Sequence, residues 1–385
     1  MIIRVTRCVF IGLVLLAGFA QAARRALADQ DPLILRAVFA EQRLWLVGSD
    51  GELSSIAENG ERLDAAMPDR VLDLFVQEGR VVIVTSQRKT CAQWMANPNA
   101  LWTVRRRVGT GWETVAEIAC RGETLVTAGA TGETITLLTE QRIINLTGGS
   151  QSETTLSRSS SDELSRMFDP SRPLDQQQAT INFPFPLTYL YRLGSGPSRR
   201  AGLVGAMLVT PAHIFVGYNA GEFGGGLKRI DRATGAIFDI GDDEPIHGIV
   251  SIPWKPDCVA IAVGLVHMVA SGRIMEVCDH SVRVLYERKV SEETVSNADG
   301  RTGWIPEHTT AFFGLMRTGE DLLAAGHDGL YRISSGDVVR QIPLPHFKDI
   351  GGIAVSFDIP DLALVLTSAN QRFSLSGLTP LLVAR

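Results

Sequence analysis

The chain is short of positive charge. Its 37 Lys and Arg face 42 Asp and Glu, for a formal net charge of −5. A protein that grips nucleic acid through its phosphates needs the opposite balance, so that class is excluded. Long apolar runs are also missing, apart from one at the extreme N-terminus, which excludes a multi-span membrane protein. Helical periodicity is nearly absent; the one fair candidate is short, around Asp162 to Phe168. The Ser-rich stretch Ser157 to Ser161 has no G-x-S-x-G elbow, so a serine hydrolase of the usual kind lacks support. Apolar residues are not scarce. They make up 45% of the chain, ample for a core and incompatible with disorder.

The N-terminal run defines an expected compartment. Arg4 and Arg7 precede the apolar stretch Cys8 to Phe19, and Ala20-Gln21-Ala22 is a small-x-small cleavage site. Residues 1–22 therefore read as a signal peptide, and the mature chain is expected in the periplasm or outside the cell. Cleavage after Ala22 removes two Arg and no acid, taking the formal charge to −7. Four cysteines remain: Cys91, Cys120, Cys258 and Cys278. An even count in an exported chain favours disulfides, and proximity favours Cys91–Cys120 and Cys258–Cys278. Cys258 and Cys278 bound an expected hairpin, facing each other on adjacent strands. Zinc is the weaker alternative, since no pair has C-x-x-C spacing.

An internal repeat sets the expected fold. The stretch Leu44-Trp45-Leu46-Val47-Gly48-Ser49-Asp50-Gly51 lines up with Leu322-Leu323-Ala324-Ala325-Gly326-His327-Asp328-Gly329. Each is an apolar strand followed by a Gly-x-Asp-Gly turn, and Asp-Gly suits the positive backbone angles of a tight hairpin. Four-strand units follow near 32–66, 69–119, 121–147, 201–241, 245–288, 308–343 and 348–384. That spacing is the signature of an all-β fold, a β-propeller of seven four-stranded blades, with six or eight as alternatives. A β-sandwich leaves the rhythm unexplained. The propeller is expected to occupy residues 32–385 after a short lead, 23–31. A polar insertion at about 148–179, rich in Ser, Gln and Asp, breaks the rhythm.

The segment Leu227-Lys228-Arg229-Ile230-Asp231-Arg232-Ala233-Thr234-Gly235-Ala236-Ile237 resembles the repeats of quinoprotein and YncE-like propellers. There a strand ends in Asp and a two-residue spacer leads to Thr-Gly. The resemblance covers one unit and implies the fold. Quinoprotein dehydrogenases carry the motif many times, with a Trp shortly after the Gly. Here it occurs once and position 238 is Phe, so a quinone cofactor is not expected.

Antiparallel strands fix the side on which each loop lies. Second-to-third-strand connections share one side with the connections between units; the other turns lie opposite. All seven His follow residue 212. His247, His267, His308, His327 and His346 map to the first side, and His213 and His280 to the other. Asn219, Glu222, Asp242, Asp243 and Glu244 also map to the first side, beside the Gly-rich loop Tyr218 to Gly226. That loop lacks the Lys-Ser/Thr and the helix of a P-loop. A site lined by Asn219, Glu222, Asp242, Asp243, His247 and His267 is one candidate, at the ring mouth between the fourth and fifth units. Glu222, Asp242 and Asp243 suit calcium, and a His beside them suits a general base. The plainer reading makes Asp242-Asp243-Glu244-Pro245 a solvated turn and His267 a packed residue. Trp94 and Trp304 are expected on the same side as binding anchors.

No complete catalytic constellation is visible, and no cofactor is implied beyond calcium. The sequence is therefore read as a non-catalytic module that binds an envelope protein or a small-molecule ligand. The alternative is a calcium-type propeller hydrolase or lyase.

Overall fold

The computed structural model describes residues 34–48, 51–57, 61–87, 100–121, 123, 125–139, 141–158, 191–192, 199–200, 203–219, 225–242, 244–267, 269–279, 281–296, 302–336, 339–344, 352–357, 361–368 and 378–384. Secondary structure among them is strand and turn, with no helix long and apolar enough to cross a membrane.

The strands form consecutive antiparallel sheets. Blade 1 comprises Ile34–Ala40, Arg43–Gly48, Leu53–Ala57 and Arg62–Ala65. Blade 2 comprises Arg70–Gln77, Arg80–Ser86, Leu101–Val108 and Gly111–Ala119, and blade 3 Leu125–Thr131, Thr134–Thr139, Arg142–Thr147 and Ser150–Thr155. Blade 4 comprises Leu203–Val209, His213–Asn219, Gly225–Asp231 and Ala236–Ile240. Blade 5 comprises Ile246–Ile252, Lys255–His267, Val269–Cys278 and Ser281–Tyr286, and blade 6 Phe312–Thr318, Asp321–Gly326, Gly329–Ile333 and Val339–Pro343. The first strand of each blade is innermost. These inner strands touch one another in chain order, and Gly352–Ser356 touches the inner strands of both blade 6 and blade 1.

Two expectations need correction. Among the described residues, six sheets have four consecutive strands, not seven; Gly352–Ser356, Leu362–Ser368 and Leu378–Ala384 form a three-stranded sheet. The polar insertion does not begin at 148, because residues 148–149 are a turn and Ser150–Thr155 is the outer strand of blade 3. Its polarity is that of an exposed outer strand, not of a loop. Residues 159–190, which carry most of the expected insertion and the candidate helix, lie outside the described residues.

Burial explains the apolar strands. Val81, Val82, Ile83 and Val84 are successive residues of one strand and all fully buried, because blade 1 covers one face and blade 3 the other. Trp45 and Trp102 are the largest buried side chains; each contributes about 3 kcal/mol or more by leaving water.

One irregularity recurs in all six four-stranded blades. Near the start of the inner strand a single residue drops out of the pairing ladder: positions 35, 72, 126, 205, 247 and 313. Such a bulge bends the strand and re-aims the next side chain. In blade 2 the next residue is Asp73. Its buried carboxylate accepts from Arg36 Nε of blade 1 at 3.0 Å, and from Thr127 Oγ1 at 2.9 Å and Ala128 N at 2.7 Å of blade 3. It also accepts from Leu74 N at 2.9 Å. In blades 5 and 6 the corresponding residues are Gly248 and Gly314. A Cβ on Gly248 would lie 2.9 Å from the backbone N of Leu315 in the next inner strand.

Arginines fasten blades further out. Arg142, buried with Glu123, bonds Glu123 Oε2 at 3.1 Å, Glu153 Oε1 at 2.7 Å and the Ala119 carbonyl of blade 2 at 2.5 Å. Arg105, Arg106 and Arg107 lie on the third strand of blade 2, which pairs on both sides. Arg105 meets Asp69, Arg106 bonds Gln77 Oε1 at 2.8 Å, and Arg107 pairs with Glu41 at 3.0 Å while its guanidinium lies against Trp45 and Trp112. All three are engaged within the fold.

Candidate functional site

The two sides of the ring differ in their connections. First-to-second-strand turns are short in every four-stranded blade: residues 41–42, 78–79, 132–133, 210–212, 253–254 and 319–320. Glu41, Gln42, Glu78, Gly79, Gly132 and Gly319 take positive φ there, as tight hairpins require. Residues 87–100, 156–202, 220–224 and 287–311 all connect on the other side. That side also receives an extension of blade 5, where Gly264–His267 pairs with Val269–Gly272 beyond the last pairing to the inner strand. Val266 is 42% exposed near its tip.

The Asp-x-x-Thr-Gly motif has a structural task. Asp231 Oδ1 accepts from Ala233 N at 3.1 Å, Thr234 N at 2.7 Å and Thr234 Oγ1 at 2.7 Å, which holds the carboxyl below its ordinary range, chiefly through Thr234. Gly235 has φ +71°, and a Cβ there would lie 2.0 Å from the Thr155 carbonyl. The chain leaving blade 3 passes at this point, and Ser157–Arg158 adds a parallel strand outside Ala236–Ile240.

His247 is the bulge residue of the inner strand of blade 5, next to the connection before it. Its neutral Nε2–H donates to the Gly264 carbonyl at 2.7 Å, and its ring lies edge-on to Phe313, 4.9 Å between centroids. Phe313 occupies the same bulge position in blade 6. The residue keeps partial exposure, yet the ring is densely surrounded, and that burial lowers its pKa to about 4. Asn219 Nδ2 lies 3.4 Å from the same ring. Most other bulge positions are apolar: Leu35, Leu72, Val126 and Phe313.

Asp242 is exposed and lies 3.9 Å from Arg273 Nη2, which pairs with Glu244 at 2.8 Å. A guanidinium therefore stands among the described acids. Glu222, Asp243, Trp94, His280 and His346 lie outside the described residues. His267 ends the second strand of blade 5 opposite Val269. The structure thus brings together Asn219 and His247, and separately Asp242, Glu244 and Arg273.

Trp304 is 65% exposed. It lies in the connection between blades 5 and 6, a ribbon in which Glu293–Ser296 pairs with Thr302–Ile305 and Lys289–Val290 with His308–Thr309. A polar cluster that the sequence reading missed roots this ribbon. Arg288 pairs with Asp328 and donates to Tyr331 Oη at 2.7 Å; Tyr331 donates to Asp328 Oδ1 at 2.7 Å, and Thr310 to Asp328 Oδ2 at 3.2 Å. Burial, first, pushes the Tyr331 hydroxyl up to about 12. His327 Nδ1 accepts from Ala311 N at 3.2 Å, and burial is the main cause of its lowered pKa. The Gly-x-Asp-Gly repeat was the available signal: Asp328 is its aspartate.

Cys258 and Cys278 are directly opposite in the ladder and joined by a disulfide, with Cα atoms 4.4 Å apart. Cys120 is also disulfide-bonded; Cys91, its expected partner, lies outside the described residues. Among the described residues, the one cluster with metal-ligand spacing is Cys258, Glu276 and Cys278, whose two sulfurs form that disulfide.

Inner-to-outer strand order and a circuit of inner strands define this chain as a β-propeller. No family model and no curated protein matches it. Solved structures resemble it remotely. The extracellular domain of the one-component system BT4673 from B. thetaiotaomicron shares 12% identity over 88% of this chain, with a TM-score of 0.39; the match spans 38% of that chain. YCF48 bound to D1 peptide shares 13% identity, covering 93% of each chain, with a TM-score of 0.44. A chain of the Mitotic Checkpoint Complex shares 10% over 91% of this chain and 89% of its own, with a TM-score of 0.47.

Proposed function

We propose that this chain is an exported β-propeller that acts as a non-catalytic binding module, presenting its long-connection side to an envelope protein or small-molecule ligand. The asymmetry of the ring carries the reading: short turns on one side, and on the other the long connections with the exposed Trp304. A large exposed aromatic on a rigid frame is the kind of anchor that binding surfaces use. The Cys258–Cys278 disulfide supports an oxidising compartment. The sheet over 352–384, whose inner strand touches blades 1 and 6, is read as a seventh blade closing the ring.

The test is capture from a periplasmic extract by the mature protein, by Trp304→Ala, and by Glu320→Ala on the short-turn side. Binding lost with Trp304→Ala and kept with Glu320→Ala supports the reading. Equal capture by all three removes it. The calcium-type enzyme is the second reading, supported by the acids expected near the fourth and fifth blades. Arg273 beside Asp242 and Glu244 weighs against a cation there. Calcium titration of the mature protein and Glu222→Gln, read by melting, separates the two.

A further inference from the structure

The ribbon that carries Trp304 returns to blade 6 at Ala311, and His327 holds Ala311 twice. The His327 backbone N–H donates to the Ala311 carbonyl at 3.0 Å, and the Ala311 N–H donates to His327 Nδ1 at 3.2 Å. The second bond fixes the tautomer. Nδ1 must offer its lone pair, so the proton of the neutral ring is on Nε2. Ala311 is fully buried, and a backbone N–H so placed is costly to leave without an acceptor. The other ties at the base of the ribbon use different groups: Thr310 N donates to the Arg288 carbonyl at 3.0 Å, and Gly272 N of blade 5 to Thr309 Oγ1 at 2.8 Å.

We propose that His327 is a proton-operated latch on this ribbon: the neutral ring fastens it to blade 6, and a proton on Nδ1 unfastens it, freeing Trp304 from its fixed position. A protonated ring carries N–H at both nitrogens. Nδ1–H then meets the Ala311 N–H, donor against donor, and the bond is lost. The charged and titratable groups around the ring pull in both directions. Asp328, next in the chain, favours a charge on it, while His308 and Arg288 on the ribbon oppose one. Asp328 is already engaged by Arg288, Thr310 and Tyr331. His308 lies 6.3 Å away between ring centroids, with its Nδ1 3.1 Å from the Pro306 carbonyl. Burial, the largest influence, also opposes the charge. The open state therefore takes up the proton more readily than the closed one. The latch is fully held above the ordinary histidine pKa of 6.5 and weakens as pH falls below it. The consequence for a bound partner rests on the reading of Trp304 as an anchor; the latch itself does not.

Residue-resolved hydrogen exchange at pH 7.5 and pH 5, corrected for intrinsic exchange rates, tests this on the parent and on His327→Asn. The Asn side-chain oxygen accepts where Nδ1 does and does not titrate. In the parent, protection of the Thr310 and Ala311 amides should fall severalfold at pH 5, and at most about thirtyfold, the ratio of protonated to neutral ring in the open state there. The strand Asp321–Gly326 should keep its protection, and in His327→Asn the Thr310 and Ala311 amides should keep theirs. Unchanged protection of Ala311 in the parent overturns the latch. So does an equal loss in His327→Asn, which assigns the change to another group, and so does a loss that extends through Asp321–Gly326, which is unfolding of the blade. Nitrogen NMR of the parent's His327 ring stands independently of the variant's folding. A proton on Nε2 at pH 7.5, joined by one on Nδ1 as Ala311 loses protection, supports the latch; a neutral ring protonated on Nδ1 overturns it. None of these readouts involves a bound partner, so failure of the binding reading leaves them unchanged.

Discussion

His247 should make the protein acid-sensitive well above the range where carboxylates titrate. An unfolded histidine has a pKa near 6.5, and the folded ring is held at about 4. Between those values the unfolded chain takes up a proton that the folded one refuses, so stability falls as pH falls from about 6.5 toward 4 and then levels off. The full difference corresponds to about 3 kcal/mol at 1.36 kcal/mol per unit. At pH 5 it is about 2 kcal/mol, and partial exposure of the residue brings this nearer 1. The control is His247→Leu, which places at the bulge the residue blade 2 has there. The variant should lose about 1–2 kcal/mol at pH 8, because the Gly264 carbonyl loses its donor. Urea unfolding from pH 8 to pH 5 should then show a shallower decline for the variant than for the parent. His213 and His327 are also lowered by burial; they contribute equally to both proteins and cancel in the comparison. Glu153, Glu276 and Asp231 have lowered folded pKa values, so their contributions are lost at lower pH, below the carboxylate range of the unfolded chain. Identical pH slopes in parent and variant would refute the account of His247.

Three further outcomes are expected. Asp73→Ala should cost about 3–5 kcal/mol, because it leaves Arg36 facing a buried gap and strips two donors of blade 3; a melting shift of only a degree or two would show that the carboxylate is dispensable. Reducing Cys258–Cys278, or changing both residues to Ser, should cost about 3 kcal/mol for a loop of sequence separation 20, read as a lower urea midpoint. Gly235→Ala should destabilise by about 2 kcal/mol or more and Gly319→Ala by about 1, since both have positive φ but only the first meets a backbone carbonyl; equal losses in chemical denaturation would discount the Thr155 contact.

The signals that could be read from sequence were local. Apolar runs bounded by Gly and Asp marked the repeated strand and turn of blades 1 and 6, and Cys258 was correctly placed opposite Cys278. The Asp231-to-Gly235 motif marked a turn, and a turn is there. What escaped was non-local. The inner-strand bulge recurs in six blades at residues as different as Gly205, His247 and Phe313, because the backbone and not the side chain repeats. Asp73 looked like any strand aspartate, since its partners in the neighbouring blades lie 37 to 55 positions away. Counting four strands per unit failed at 148–155, where an exposed outer strand has the composition of a loop. His247 was placed on the long-connection side, and it does lie beside the connection, but nothing in the sequence marked it as a bulge residue.

The Asp73 carboxylate has a mechanical meaning. A chain of stacked sheets, each touching only its neighbours, would ordinarily peel apart one sheet at a time under load. Here a single acid holds a residue from the sheet before it and two from the sheet after it. Pulled from the N-terminal end, the first three blades should therefore resist as one piece and then rupture together.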